Sequence, residues 1–198
     1  MEEEMIPYES CSPMIGMQIP DLMLTAYQDG KFNPLKLADY KGKWVILFFY
    51  PADFTFICPT ELEEMADHYE EFKSLNAEVL SVSTDTEFVH KAWHDQSPAI
   101  GKVKFPMLAD PTGTLCQELG TYIYEEGLSL RGTFIFDPEG KLKAFEMHDN
   151  SIGRSATELL RKLKAAIFVK ENPGQVCPAS WAPGAKTLTP GPDLVGKI

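Results

Sequence analysis

Apolar positions along the chain follow two spacings, which predict strands that alternate with helices. All residues from Trp44 to Tyr50 are apolar, a pattern typical of a central strand covered by helices on both sides, and Pro51 ends the run. Asp29-Gly30 and Asp137-Pro138-Glu139-Gly140 are turn sequences, so each predicts a hairpin. Shorter apolar runs predict the other strands at residues 22–28, 78–83, 105–109, 131–136 and 142–147.

Apolar residues spaced three or four apart predict helices between these strands. After Cys58-Pro59 such residues form one stripe that continues to Phe72, and Glu61 and its acidic neighbours lie off that stripe. Capping-box sequences at Thr84-Asp85-Thr86-Glu87 and Ser155-Ala156-Thr157-Glu158 predict the starts of two further helices.

The order of these elements predicts an α/β fold with a central mixed sheet flanked by helices. The pattern ends near residue 171, since five prolines and three glycines lie between Asn172 and Pro192. The sequence therefore predicts a domain over residues 1–170 and an irregular C-terminal arm over residues 171–198.

The charge of the chain excludes several classes of partner. Its 198 residues carry 18 basic and 29 acidic side chains, a net charge of -11. Nucleic acids and anionic membranes both require clustered Lys and Arg, so we expect neither as a partner. The start, Met1-Glu2-Glu3-Glu4, is acidic where a signal peptide would be basic, and the longest apolar run is only strand-sized. We therefore expect a cytoplasmic protein without a membrane-spanning helix.

Four cysteines stand far apart in the chain, at Cys11, Cys58, Cys116 and Cys177. No two have the close spacing of a zinc knuckle, and they are too sparse for the disulfide framework of a small secreted protein. In the cytoplasm, where thiols stay reduced, a functional cysteine is usually catalytic or metal-bound. We expect Cys11 and Cys116 to be small buried apolar residues.

Cys58 differs because it lies between the buried strand and the start of a helix, with Pro59 in the first helical turn. Unpaired backbone N–H groups and the positive end of the helix dipole favour the thiolate there, and the thiolate is the nucleophilic form. Glu61, Glu63 and Glu64 oppose this effect. A reactive thiolate at this position therefore requires a nearby cation.

The segment Pro51-x-x-x-Thr55-x-x-Cys58, and the wider run of residues 49–62, resembles the active site of the peroxiredoxins, specifically the alkyl hydroperoxide reductase C type. That family has a thioredoxin-like fold. Further blocks in matching order are His90-Lys91-Ala92-Trp93-His94, Ala109-Asp110-Pro111-Thr112-Gly113, Gly153-Arg154, Val176-Cys177-Pro178-Ala179 and Asp193-Leu194-Val195-Gly196-Lys197-Ile198.

The resemblance implies a role for each matching residue of the site. Cys58 would be the peroxidatic cysteine that becomes a sulfenic acid, and Thr55 would hydrogen-bond to the thiolate and the peroxide. Pro51 would shield the pocket from water. Arg131 would be the required cation, with Arg154 as a weaker supporting charge.

Cys177 would be the resolving cysteine, supplied by the neighbouring subunit of a head-to-tail dimer. A sulfenic acid is readily reversible only when a second thiol condenses with it. Thioredoxins hold that thiol three residues away, but here Thr55 occupies the corresponding position, so the second thiol must come from elsewhere.

The resemblance also implies the partners. These are hydrogen peroxide or an organic hydroperoxide, an external dithiol reductant such as a flavoprotein disulfide reductase or a thioredoxin-like protein, and further copies of the chain, as a homodimer and a decamer of five dimers. It implies no metal or organic cofactor. Two alternatives are a general thiol–disulfide exchange protein, which the missing C-x-x-C disfavours, and a holdase chaperone. His90 and His94 have the i,i+4 spacing of metal ligands, but no third ligand is evident, so we expect a packing or solvated role.

Overall fold

The computed structural model describes residues 12–198, so Cys11 lies outside the described residues. Nine strands lie at Met23–Gln28 (β1), Lys31–Lys36 (β2), Trp44–Phe49 (β3), Ala77–Ser83 (β4), Met107–Ala109 (β5), Tyr122–Ile123 (β6), Leu128–Ser129 (β7), Arg131–Phe136 (β8) and Leu142–His148 (β9) within that range. Five α-helices span Cys58–Asp67 (α1), Tyr69–Ser74 (α2), Glu87–Gln96 (α3), Thr114–Glu118 (α4) and Ala156–Glu171 (α5).

Seven strands form one mixed sheet in the order β2-β1-β5-β4-β3-β8-β9. The pairs β3–β4 and β4–β5 are parallel, whereas β1–β2, β1–β5, β3–β8 and β8–β9 are antiparallel. This arrangement confirms the predicted mixed sheet. It also sets β8 beside β3, so that Arg131, the first residue of β8, lies at the end of the sheet where β3 leads into the Cys58 loop.

Strand β3 is buried at every residue because both faces of the sheet are covered. Ile46 and Phe48 point into the apolar core formed with α1, α2, α3 and α5, which also contains Cys58. Val45 and Leu47 point into the core on the opposite face, which contains Cys116. Alternate residues of β3 face the two cores, and Cys58 of α1 and Cys116 of α4 therefore lie on opposite sides of the sheet.

Two expectations about helices were wrong. The single helix expected after Cys58 ends at Asp67, and α2 begins after His68, whose φ of -98° and ψ of 2° break the helical geometry. The capping box expected from Thr84 does not form, because Thr86 is the N-cap of α3 and makes no side-chain capping bond. At α5 half of the predicted capping box forms: the Ser155 hydroxyl accepts a hydrogen bond from the Glu158 N–H, while the Glu158 carboxylate binds Arg161.

The chain beyond α5 holds little regular structure. Between Asn172 and Pro192 the backbone makes an isolated antiparallel bridge that joins Val176 to Leu188. The segment is nevertheless packed, because Trp181 is buried against Phe168 of α5 with ring centroids 4.9 Å apart. Within the described part of the chain, no helix is both long and apolar enough to cross a membrane.

Candidate active site

Cys58 begins α1 and is fully buried, with its side chain inside the core rather than on the surface. The loop from Pro51 to Ile57 connects it to the end of β3. Phe54 in that loop takes the left-handed conformation, with φ of 56°. The tight connection places Cys58 directly over the sheet, within reach of side chains from β8.

Arg131 is the cation that the sequence required beside Cys58. This side chain is buried, and its Nη1 donates to Cys58 Sγ at 3.4 Å and to Glu61 Oε2 at 2.7 Å. Its Nε donates to the Asn150 carbonyl at 2.9 Å. Three anchors therefore hold the guanidinium against the sulfur, where its positive charge stabilises a thiolate.

Glu61 is buried, which contradicts the expectation that it lies on the polar side of α1. Its carboxylate accepts bonds from the Arg154 side chain at 2.9 and 3.0 Å and from the Arg154 N–H at 2.7 Å. Burial raises the pKa of Glu61, but the hydrogen bonds and charge of Arg154, together with Arg131, outweigh it and lower the pKa overall. Glu61 therefore stays charged and orients the two arginines.

This role for Glu61 differs from the expectation that its negative charge opposes the thiolate. The signal was its position three residues after Cys58, which places both on one face of α1. Two guanidinium groups and one carboxylate leave a net charge of +1 beside the sulfur. The acidic residue thus belongs to a cationic cluster.

Arg154 contacts the site through Glu61. Its Nη1 also donates to the Gly132 carbonyl at 2.8 Å and to Thr133 Oγ1 at 3.0 Å, and its guanidinium lies 3.5 Å from the centre of the Phe48 ring. These three partners belong to strands β3 and β8 of the sheet. The geometry therefore favours a positioning role for this arginine, in keeping with the supporting charge that the resemblance implies.

The loop residues Pro51 and Thr55 flank Cys58 in sequence. Pro51 is buried, as a residue that excludes water must be. The Thr55 hydroxyl donates to the Ala52 carbonyl at 2.8 Å, which leaves its oxygen free to accept a hydrogen bond.

A buried polar network supports the same loop. Asp53 accepts from the Tyr50 hydroxyl at 2.7 Å and bonds His90 Nδ1 at 2.8 Å, while His90 Nε2 lies 3.1 Å from the Leu108 carbonyl. Burial is the largest single effect and lowers the pKa of His90, but Asp53, the Leu108 carbonyl and Asp85 together outweigh it, so the pKa lies above its usual value. The network connects β3, α3 and β5 beneath the loop, and His90 has the packing role expected for it.

The other described cysteines have different surroundings. Cys116 is fully buried on the far face of the sheet, and burial raises the pKa of its thiol far above the usual range. Cys177 is partly exposed, and its Sγ lies 3.9 Å from the Ala165 carbonyl of α5. Cys58, Cys116 and Cys177 are all free thiols. Among residues 12–198, no cluster of three or more His, Cys, Asp or Glu side chains could hold a metal ion.

The thioredoxin-like sheet, the buried thiol at a helix start and the guanidinium bonded to that thiol together define the peroxiredoxins, the class of thiol-dependent peroxidases. The family model described as AhpC/TSA matches residues 15–145. The chain belongs to the AhpC/TSA family.

Relatives of known name cover nearly the whole chain. Alkyl hydroperoxide reductase C from Amphibacillus xylanus is 51% identical over 186 residues, which make up 93% of this chain and 99% of that protein. The protein of the same name from Escherichia coli K12 is 49% identical over 185 residues, again 93% and 99% of the two chains.

Solved structures of peroxiredoxins are similar to this chain in both fold and sequence. The crystal structure of AhpC from Enterococcus faecalis matches with a TM-score of 0.81 and 49% identity, covering 83% of this chain and 98% of that one. The reduced 2-Cys peroxiredoxin of Plasmodium vivax matches with a TM-score of 0.84 and 31% identity, covering 88% and 93%.

Proposed function

We propose that this protein reduces hydrogen peroxide and organic hydroperoxides, with Cys58 as the peroxidatic cysteine. The observation that carries the proposal is the bond from Arg131 Nη1 to the buried Cys58 Sγ at 3.4 Å. The name of its relatives, alkyl hydroperoxide reductase C, supports organic hydroperoxides as substrates. The peroxidase domain would comprise residues 1–170, and residues 171–198 would form the arm that carries the second thiol.

The first step is nucleophilic attack by the Cys58 thiolate on one peroxide oxygen. An S–O bond forms and the O–O bond breaks, so the sulfur becomes a sulfenic acid and the leaving oxygen takes up a proton as water or an alcohol. Arg131 stabilises the thiolate and the negative charge that develops on the leaving oxygen. Thr55 accepts a hydrogen bond from the peroxide, and Pro51 keeps bulk water from the sulfur.

The second step is condensation of the Cys58 sulfenic acid with Cys177 of a neighbouring subunit. Cys177 is partly exposed, as a thiol that reacts with another subunit must be, whereas Cys116 is fully buried. Because Cys58 is fully buried, the first turn of α1 must open before its sulfur can be reached. An external dithiol then reduces the disulfide.

A Cys177→Ser variant tests this step. After one equivalent of peroxide, we expect the wild-type chain to run as a covalent dimer without reductant and to give a Cys58–Cys177 linked peptide by mass spectrometry. The variant should give no covalent dimer, and its Cys58 should accumulate sulfinic acid as peroxide increases. Cys116→Ser is the matched control and should behave as the wild type. A Cys58–Cys116 linkage, or an unchanged dimer in Cys177→Ser, would contradict the proposal.

Neither alternative activity gains support from the site. A general thiol–disulfide exchange protein needs a second thiol close to the first, but Cys58 contacts Arg131, and the position three residues earlier is Thr55. A holdase function would not require the buried cluster of Glu61 with its arginines.

Three exposed phenylalanine side chains lie in or near the active-site loop, and we define Phe32, Phe54 and Phe88 as the aromatic patch. This patch supports an assembly of several copies of the chain. Their exposed fractions are 39%, 52% and 65%, large values for phenylalanine. The Phe32 and Phe88 rings lie 5.1 Å apart, and Phe54 packs on Trp93 of the same helix as Phe88. A second copy of this chain covering the patch would build a decamer from five dimers.

Phe88→Asp should disrupt that assembly. A carboxylate on the patch would have to be buried without a partner, so we expect association between dimers to weaken on the order of 100-fold, as for a central interface residue. Sedimentation velocity at micromolar concentration should then show dimers in place of decamers. Met14→Asp, which changes an exposed apolar residue elsewhere, is the control. A decamer that survives Phe88→Asp would rule out the patch as the contact.

The cycle also requires an electron donor, and its cellular location must keep thiols reduced. We propose an external dithiol protein, either a flavoprotein disulfide reductase or a thioredoxin-like protein, as the electron source. The cytoplasm suits this cycle, because thiols are kept reduced there.

A further inference from the structure

Cys177 lies between two contacts that the arm makes with α5. Its Sγ lies 3.9 Å from the Ala165 carbonyl, one helical turn beyond Arg161 on the same side of the helix. Arg161 Nη1 donates to the carbonyl of Trp181, four residues after Cys177, at 2.9 Å. Arg161 therefore lies one helical turn before the carbonyl that contacts Cys177, and it binds the arm at Trp181, four residues after Cys177.

The guanidinium of Arg161 is held in place by a neighbour on its own helix. Arg161 Nε and Nη2 each donate to the Glu158 carboxylate at 2.8 Å, a two-pronged bond that limits the motion of the side chain. Together with the bond to Trp181, this leaves the group fixed between α5 and the arm. The arm is itself anchored there, because Trp181 is buried.

Arg161 is also the charge that acts on the Cys177 thiol. Burial raises the pKa of Cys177, and the positive charge of Arg161 lowers it, although burial has the larger effect. The other cations of α5 also make ion pairs: Lys162 pairs with Glu146 and, at 4.0 Å, with Glu158, Lys164 pairs with Glu71, and Lys170 pairs with Glu139. Lys186 is the charged side chain of the arm between Asn172 and Pro192, and Glu158 is the acid that faces Arg161.

We propose that Arg161 is a positioning residue for the resolving step, which holds the Cys177 segment on α5 and stabilises its thiolate. The inference rests on the proposed function, since it assigns a helper to the second thiol of that cycle. The thiolate sulfur attacks the sulfur of the Cys58 sulfenic acid, an S–S bond forms, the S–O bond breaks, and the hydroxide leaves and takes up a proton to become water. No further oxidant or reductant is needed.

The expected consequence is a choice between two fates of the sulfenic acid. Condensation with Cys177 competes with a second peroxide molecule, which would oxidise Cys58 to sulfinic acid. A larger thiolate fraction of Cys177 at neutral pH speeds the condensation, and this shifts the competition toward the disulfide. Arg161 would therefore protect Cys58 without touching it.

The first experiment uses Arg161→Met, Arg161→Lys and Lys164→Met in the full chain. In single turnovers with one equivalent of hydrogen peroxide, disulfide formation is followed by quenched mass spectrometry from about pH 6 to about pH 11, a range that extends past the raised pKa of Cys177. We expect Arg161→Met to slow this step about threefold to tenfold at pH 7, because less of Cys177 is then thiolate. The loss should shrink only at the alkaline end of the range, since burial holds the pKa of Cys177 above its usual value. Arg161→Lys should restore most of the rate, Lys164→Met should match the wild type, and sulfenic acid formation should not change.

The second experiment measures the thiolate fraction of Cys177 in the absence of peroxide. In a Cys58→Ser background, the rate at which iodoacetamide alkylates the Cys177 peptide reports its thiolate fraction at each pH. Arg161→Met should shift the midpoint of this profile upward, and Arg161→Lys should not.

The outcomes separate the two levels of the proposal. A wild-type chain that forms no Cys58–Cys177 disulfide overturns the proposed function, while the alkylation profile still decides whether Arg161 acts on Cys177. An unshifted profile in Arg161→Met overturns the inference, as does an equal loss of resolving rate at every pH, because that pattern would mean that Arg161 only fastens the arm.

Discussion

Replacing Cys58 with serine should lower peroxidase turnover by a factor on the order of 10⁴ or more, as the loss of a covalent nucleophile does in other enzymes. A serine hydroxyl remains protonated at neutral pH even beside Arg131, so it cannot attack the peroxide oxygen. The measurement is the consumption of hydrogen peroxide with a dithiol as electron donor. Because Cys58 is nearly isosteric with serine, thermal unfolding should show that the fold is kept.

Cys116→Ser is a matched control for that variant. Both thiols are fully buried, but Cys116 lies in the opposite core, near Asp110, and has a raised thiol pKa. Its variant should retain peroxidase activity within about twofold. Loss of activity in Cys116→Ser together with retention in Cys58→Ser would reverse our assignment, because it would show that burial beside a carboxylate, not beside a guanidinium, marks the reactive thiol.

Arg131→Met should lower the second-order rate constant of Cys58 with hydrogen peroxide by about 10²–10³, the usual cost of removing one donor that stabilises a developing oxyanion. The change removes the cation 3.4 Å from Cys58 Sγ but leaves Glu61 bound to Arg154 through three hydrogen bonds. The site should therefore keep its shape. Single-turnover oxidation followed by mass spectrometry gives the rate constant.

Arg131→Lys separates charge from geometry in the same measurement. An ammonium keeps the charge, but it cannot reproduce the fork that reaches Cys58, Glu61 and the Asn150 carbonyl together. We expect a rate constant between those of Arg131→Met and the wild type. A variant Arg131→Met that reacts within about threefold of the wild type would show that the helix start alone activates Cys58.

The burial of Glu61 could not be predicted from the helical pattern of α1. Helical periodicity places it off the apolar stripe of α1, and a solvent-facing acid is the usual outcome. The structure buries it because two arginines, from β8 and from the loop before α5, supply four hydrogen bonds to its carboxylate. The last of those partners lies 93 positions away in the chain. Pairing over such a distance leaves no local signature.

The alternation of strands and helices, the position of Cys58 at a helix start and the need for a cation beside a thiolate there were all determined by the sequence, because they depend on local periodicity, turn residues and the polarity of a helix start. The tertiary structure decided which groups meet. It brought Arg131, which the family resemblance had already implied, within 3.4 Å of the Cys58 sulfur. It also turned Glu61 into the support of that arginine, placed Cys116 behind the sheet and set Cys177 against α5. These outcomes depend on strand order and on ion pairs between distant segments, and their free energy exists only once the chain has folded.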